Sequence, residues 1–285
     1  MKLISKVAEL QKQLEKMHMT PVGFVPTMGA LHDGHLSLVR NAKANCNIVV
    51  VSIYVNPTQF NDKEDLKNYP RTVEQDLKLL KPHLRENDIV FTPDDSEIYP
   101  EEDKRVFNFG NPGKVMEAMQ RPGHFNGVAI VIRRFFEIVK PDFAYFGQKD
   151  FQQLAIVKEL VRQTGDKVII VGNPIVREPD GLAMSSRNRF LEPEIRKNAK
   201  IIFKTLSSAT EMLTEKDIPQ IKSWIKKTIE EVKGFRIEYF EIVDEQELIP
   251  VEKKSSLIKG IRYFGCIAVR AGRIRLIDNI EFPLS

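Results

Sequence analysis

The chain has 285 residues, 42% of them apolar, which is enough to bury a large core and to fill two domains of ordinary size. Its 43 basic and 39 acidic side chains leave a net charge of +4 with no dense Lys/Arg tract. That balance fits a small anionic substrate and argues against a nucleic-acid-binding stripe. The longest strand-like apolar run, Ile48–Val55, is interrupted by Ser52 and is far too short to span a bilayer.

Lys2, Lys6, Glu9, Lys12, Glu15 and Lys16 interrupt the N-terminus, so a signal peptide is not expected and a cytoplasmic location is. Cys46 and Cys266 are far apart and have no metal-type spacing. Two buried free thiols in a reducing compartment are favoured over one disulfide.

In chain order, Leu3, Val7, Leu10, Leu14 and Met17 recur at helical intervals and suggest an amphipathic helix. A strand follows at Val22–Pro26, then a helix that starts near Asp33. Ile48–Val55 reads as a strand buried on both faces of a parallel sheet. Arg71–Leu84 reads as helix, Ile89–Phe91 as strand, Asn126–Val139 as helix and Phe143–Phe146 as strand. Phe151–Gln163 is helical and Val168–Val171 a further strand. This alternation predicts an α/β fold, a Rossmann-like doubly wound parallel sheet. After about Val176 the pattern changes to two helical stretches, Pro193–Leu213 and Pro219–Val232. Three strand-like segments then follow, Ile237–Val243, Tyr263–Val269 and Ile274–Ile280, with an Ala271-Gly272 turn between the last pair. The expected organisation is a domain over 1–175 and a smaller C-terminal α+β domain over 176–285.

The stretch richest in chemistry is Val25-Pro26-Thr27-Met28-Gly29-Ala30-Leu31-His32-Asp33-Gly34-His35-Leu36. It reads as a strand end, a tight turn and the first turn of a helix. A helix N-terminus has unpaired N–H groups and the positive end of the dipole, a seat for phosphate. His32 and His35 are three apart and project from one face, with Gly34 between them. The spacing alone also suits a surface pair or part of a metal site. His-x-Gly-His after a strand and a Met-Gly turn resembles the signature of the nucleotidyltransferase superfamily that includes class I aminoacyl-tRNA synthetases. The run Pro26–His35 narrows that resemblance to the pantothenate synthetase family. It implies ATP contacts from Met28, Gly29, Ala30, Leu31, His32, Asp33, Gly34 and His35. His35 is the chosen catalytic residue, donating a proton or hydrogen bond to charge building on phosphate.

In an open α/β sheet, ligands lie beyond the carboxyl ends of the strands. Asn56-Pro57-Thr58-Gln59-Phe60 follows Ile48–Val55 and is by local chemistry an Asn-Pro turn. It too resembles the family, in which this Gln contacts pantoate near the β-alanine position, so Gln59 is a candidate there. Tyr69-Pro70-Arg71 reads as a helix start, and Arg121-Pro122-Gly123-His124-Phe125 precedes another helix. His124 is read as structural or pocket-lining. Gly147-Gln148-Lys149-Asp150 follows Phe143–Phe146. Gly147 permits close backbone approach, and Lys149 is a mobile point charge able to follow a migrating phosphate. The resemblance assigns Gly147, Gln148, Lys149 and Asp150 to ATP and Gln153 to pantoate. Many members carry Glu where this chain has Gln148.

The last motif is Val176-Arg177-Glu178-Pro179-Asp180-Gly181-Leu182-Ala183-Met184-Ser185-Ser186-Arg187-Asn188. Two hydroxyls and a guanidinium in succession suit a polyphosphate. The stretch resembles the family's version of the Lys-Met-Ser-Lys-Ser loop, with Ala183 in place of the leading Lys and Arg187 supplying charge. Val176, Met184, Ser185, Ser186 and Arg187 are the ATP candidates here, on a loop flexible enough to close over a nucleotide. Leu276-Ile277-Asp278-Asn279 also looks familial, without an assigned role.

Together the motifs imply an ATP-dependent, AMP-forming ligase that joins pantoate to β-alanine through a pantoyl-adenylate. ATP and Mg²⁺, with pantoate and β-alanine, are the expected small-molecule partners. Neither nucleic acid nor membrane is expected, and a homodimer is implied by the resemblance alone. The alternatives are an adenylyltransferase of the same superfamily that stops at AMP transfer to a phosphate, and an RNA-binding protein of the same fold.

Overall fold

The computed structural model describes residues 1–17, 20–61 and 63–284. Short β-branched and aromatic runs form six strands: β1 (Lys2–Ile4), β2 (Val22–Thr27), β3 (Ile48–Ile53), β4 (Ile89–Phe91), β5 (Phe143–Gly147) and β6 (Ile169–Asn173). They make one sheet in the order β1-β4-β3-β2-β5-β6, and every neighbouring pair is parallel. All of β3 is buried, as its unbroken apolar run requires when helices cover both faces. From β2 the chain builds outward through β3 to β4, then returns to place β5 on the other side of β2. The order therefore reverses between β2 and β5, where doubly wound sheets bind their ligands.

One expectation fails at the N-terminus. Leu3 lies in β1 and not on the helix, which begins at Val7 and runs to Met17. Leu3 is 54% exposed and Ile4 is 3% exposed, an alternation that suits a strand. Tyr69-Pro70-Arg71 is not a helix start either. It links the helix Lys63–Asn68 to the helix Val73–Leu80, and the Tyr69 ring packs edge-on against Phe60. The helical stretch Pro193–Leu213 is two helices, Pro193–Asn198 and Ile201–Met212, joined by a tight turn.

A second sheet is antiparallel, with β7 (Phe235–Asp244), β8 (Tyr263–Ala271) and β9 (Ile274–Phe282) in that order. Gly272, at φ +59°, turns β8 into β9. Leu206, Ile221, Ile225, Ile242, Ile267 and Val269 are buried between this sheet and the helices Ile201–Met212 and Ile218–Glu230.

The chain divides into two compact units. The first comprises Met1–Phe109, Glu117–Gln148 and Ile156–Pro174, and the second Gly110–Met116, Lys149–Ala155 and Ile175–Ser285. The second unit is thus discontinuous, where the sequence pattern suggests one contiguous piece. Phe151 stacks on Phe264 with ring centres 4.5 Å apart, and Met116 and Ala155 join the same apolar cluster. The buried Gln152 amide donates to the carbonyls of Pro112 and Val115 at 2.7 and 2.8 Å. Cys46 and Cys266 are both buried, and neither forms a disulfide. Among the described residues no helix is long and apolar enough to cross a membrane.

Candidate active site

At the carboxyl end of β2 the backbone turns sharply. Thr27 donates its hydroxyl to the Ser52 carbonyl at 2.6 Å and accepts the Gly29 N–H at 3.2 Å. Gly29 and Ala30 both take left-handed conformations, φ +76° and +50°. The turn directs the N–H groups of Ala30 and Leu31 inward to a common acceptor. The Asp76 carboxylate, 1% exposed, accepts the N–H of Ala30 at 3.0 Å and of Leu31 at 2.8 Å. The Thr72 hydroxyl adds a third bond to Asp76 at 3.2 Å. The main-chain donors of Ala30 and Leu31 are therefore engaged within the fold.

The helix Asp33–Asn45 opens on a capping box built from two imidazoles. Nδ1 of His32 accepts the Gly34 N–H at 3.1 Å, and Nδ1 of His35 accepts the His32 N–H at 3.3 Å. The ring centres are 4.1 Å apart. A neutral imidazole that accepts at Nδ1 carries its proton at Nε2. Both rings are thereby set as Nε2–H donors at a helix N-terminus. Met28, His32, Gly34 and His35 are partly exposed and Asp33 is exposed, whereas Gly29, Ala30 and Leu31 are buried.

Gln59 sits beyond the end of β3 in a dense polar knot. Its side chain accepts from the Asn56 amide at 3.2 Å and donates to the Met28 sulfur at 2.8 Å. Asn56, 1% exposed, also donates to the Gly127 carbonyl and accepts from the Tyr99 hydroxyl. The Gln59 carbonyl accepts from His124 Nδ1 at 2.7 Å. Arg121 donates to that carbonyl and to His124 Nε2, which fixes the His124 proton on Nδ1. His124 is thus a buried brace of the Gln59 turn.

Gly147 ends β5 opposite Asn173 of β6, and the Gln148 N–H donates to the Asn173 carbonyl at 2.8 Å. The buried Asn173 side chain accepts from Asn41, on the helix that His32 caps. Within the first unit, the ends of β5 and β6 are therefore tied to each other, and the end of β6 to the helix that follows β2.

In the second unit Lys149 lies 3.8 Å from Asp150, and its carbonyl accepts from Asn279 at 3.1 Å. Gln153 is partly exposed. The stretch 176–184 is an ordered hairpin. Met184 N–H donates to the Val176 carbonyl at 3.0 Å, Arg177 bridges Ala183, and Glu178–Gly181 is the turn. Arg196 binds Glu178 and Asp180, and its hydrogen bond holds the Asp180 carboxyl below the usual carboxylate range. The Ser185 hydroxyl caps a short 3₁₀ turn by accepting the Arg187 N–H at 3.3 Å. Sequence reading missed Asp76, Asn56 and the partners of this hairpin. The signal for Asp76 was present: it falls beside Val73, Leu77 and Leu80 on an otherwise apolar face.

The pantoate-β-alanine ligase family profile matches residues 2–281. A pantothenate synthetase of Azobacteroides pseudotrichonymphae is 50% identical over 99% of this chain and 100% of its own length. That of Bacteroides thetaiotaomicron is 46% identical over 99% of both. The crystal structure of pantothenate synthetase from Thermus thermophilus superposes with a TM-score of 0.91, at 41% identity and full coverage of both chains. A Francisella tularensis pantoate-β-alanine ligase, solved with β,γ ATP and β-alanine, gives 0.78 at 31% identity, covering 100% of this chain and 99% of that one. By sequence over its whole length and by fold, this chain belongs to the pantoate-β-alanine ligase family.

Proposed function

We propose that the chain condenses pantoate with β-alanine in two steps on one site. A carboxylate does not acylate an amine at neutral pH, because its leaving group would be oxide. In the first step the pantoate carboxylate attacks the α-phosphorus of ATP, forming pantoyl-adenylate and releasing pyrophosphate. In the second the β-alanine amine attacks the acyl carbon, AMP leaves with the bonding pair, and the amine proton is lost. The protein's work is positioning and stabilisation of charge.

The observation that carries this reading is the pair of Nδ1 acceptors in His32 and His35. It makes both rings hydrogen-bond donors toward an anion without requiring either to be cationic. His35 is the group assigned to the phosphate charge that grows in the first step. Met28–His35 and Gly147–Asp150 contact the nucleotide, as do Val176, Met184, Ser185, Ser186 and Arg187. The engaged N–H groups of Ala30 and Leu31 give those two residues a shaping role in that contact. Gln59 and Gln153 hold pantoate, and Gln59 also borders the β-alanine position.

Mg²⁺ would accompany the nucleotide and would neutralise part of its phosphate charge. Among the described residues no group of three or more His, Cys, Asp or Glu is arranged to hold a metal ion. The enzyme is a cytoplasmic homodimer in this reading, and sedimentation equilibrium measures its assembly. The test of the chemistry is ATP consumption with pantoate and β-alanine each omitted in turn. Pantoate alone should support exchange of pyrophosphate into ATP, and pantothenate and AMP should require all three substrates. A stable dinucleotide product, or ATP turnover indifferent to pantoate, overturns the proposal.

A further inference from the structure

β9 carries two adjacent polar residues, Asp278 and Asn279, that are 4% and 3% exposed. Successive strand residues point to opposite faces, so burying both means that both faces of β9 are covered here. The Asp278 carboxylate takes a two-pronged bond from Arg177, at 2.6 and 3.0 Å, and the N–H of Asn279 at 2.8 Å. Arg177 also donates to the Gly181 carbonyl at 3.1 Å and lies 3.7 Å over the Phe203 ring. Phe203 closes the same turn, since a Cβ on Gly181 would meet it at 2.6 Å. The Asn279 amide donates to the Lys149 carbonyl at 3.1 Å.

Two neighbouring residues of one strand thus hold two segments far away in sequence. One is the 176–184 hairpin that leads into Ser185–Arg187. The other is the main chain of Lys149. Stability does not call for this arrangement. An apolar pair of similar volume is commonly as stable as a buried ion pair, or more so. Burial pushes the Asp278 carboxyl up, and Arg177 and the Asn279 N–H pull it down. What the pair supplies is direction: a planar guanidinium held by two oxygens has one orientation.

We propose that Asp278 and Asn279 are positioning residues for ATP, Asn279 acting through Lys149 and Asp278 through Arg177 and the hairpin. The inference rests on the assignment of Lys149 and Ser185–Arg187 to ATP. Neither Asp278 nor Asn279 need touch substrate.

The experiment compares Asn279→Ala, Asp278→Asn, Lys149→Ala and the Asn279→Ala/Lys149→Ala double variant in the full-length enzyme. Pantoate-dependent pyrophosphate exchange and full turnover are measured with each substrate varied. Asn279→Ala is expected to lower kcat/KM for ATP about tenfold, the loss of one ordered hydrogen bond, and to leave KM for β-alanine unchanged. Added to Lys149→Ala it should cost less than about twofold more, because residues acting as one unit are not additive. Asp278→Asn should show the same split between ATP and β-alanine, and its unchanged volume keeps the test in hand if Asn279→Ala does not fold. Normal kcat/KM for ATP in folded Asn279→Ala and Asp278→Asn, with Lys149→Ala impaired, overturns this inference alone. Equal losses toward all substrates, or full additivity with Lys149→Ala, also overturn it. Normal ATP use by Lys149→Ala overturns the assignment of Lys149 and the inference with it.

Discussion

The main-chain N–H of His32 donates to Nδ1 of His35, and the ring of His32 in turn accepts the N–H of Gly34. One nitrogen of each ring therefore maintains the helix start and the other is left with the proton. The two tasks separate by substitution. Asn places an oxygen near the Nδ1 position, and Gln places an amide N–H near Nε2. His35→Asn should keep the cap and stay within about 1 kcal/mol of wild-type stability. It should lose pantoate-dependent pyrophosphate exchange by about 10²- to 10³-fold, the usual loss for one transition-state donor. His35→Gln should be less stable and more active than His35→Asn. Equal activity in the two variants would mean that the Nε2 donor is not what the reaction uses.

Asp76 is buried against the turn it organises, with Ala30, Leu31 and Thr72 as donors. Asp76→Ala strands two buried N–H groups, each worth about 1–3 kcal/mol when unpaired. Ala30 then also lacks the contact that holds its left-handed conformation. Asp76→Ala is expected to lose about 3 kcal/mol of stability by urea unfolding. Asp76→Asn, which keeps one acceptor oxygen, should lose less. In whichever variant folds, the exchange rate should fall more than the stability loss accounts for, because the imidazoles ride on this turn. Unchanged exchange in folded Asp76→Asn would separate the turn from the chemistry.

Much of the first unit could be read directly, because its signals are local. The change from a strand period to a helical period at Thr27–Asp33 marks the turn, and β3 announces itself by a run of residues with little polarity. β1 escaped because Leu3 also fits the helical spacing of Val7, Leu10, Leu14 and Met17, and what stabilises the strand is pairing with β4, far along the chain. The 176–188 stretch reads as a mobile loop for the same reason. Its turn is visible in Asp180-Gly181, but what orders it is Asp278, 101 residues after Arg177 in the chain. The motifs identified candidate ligands. The residues that aim them, Asp76, Asn56 and Asp278, are buried polar side chains whose partners become evident only in three dimensions.

Gly127 tests how closely the Gln59 turn is packed. A Cβ there would lie 2.4 Å from the Thr58 carbonyl oxygen and 2.9 Å from Gln59 Cα, both main-chain atoms. Neither can rotate away, so the helix His124–Val139 or the turn must shift. Gly127→Ala also strains the bond from Asn56 to the Gly127 carbonyl. The expected cost is about 1–3 kcal/mol of stability. In kinetics, KM for pantoate should rise at least several-fold while KM for ATP changes little. A selective rise in KM for ATP would place Gln59 on the wrong substrate.

Part of the acid sensitivity should come from the cluster that fastens the segment before Asn108 to the helix His124–Val139. Arg105 bonds Asp103 and Glu137, and Arg134 donates to Glu137 at 2.8 Å. Arg105 holds the Asp103 carboxyl below the usual carboxylate range. Burial acts to raise Glu137, and the bonds from Arg134 and Arg105 outweigh it and bring it below that range too. A carboxylate depressed in the folded state contributes stability above its unfolded pKa and loses it as pH falls through its folded pKa. Wild-type stability should therefore decline as pH drops from about 5 to about 3. Glu137→Gln should be less stable by about 1 kcal/mol at neutral pH, a modest figure because the cluster is partly exposed. Its decline over the same pH interval should be shallower, so that the two urea midpoints converge near the acid end of that interval. Parallel curves for the two proteins would show that Glu137 titrates no differently when folded.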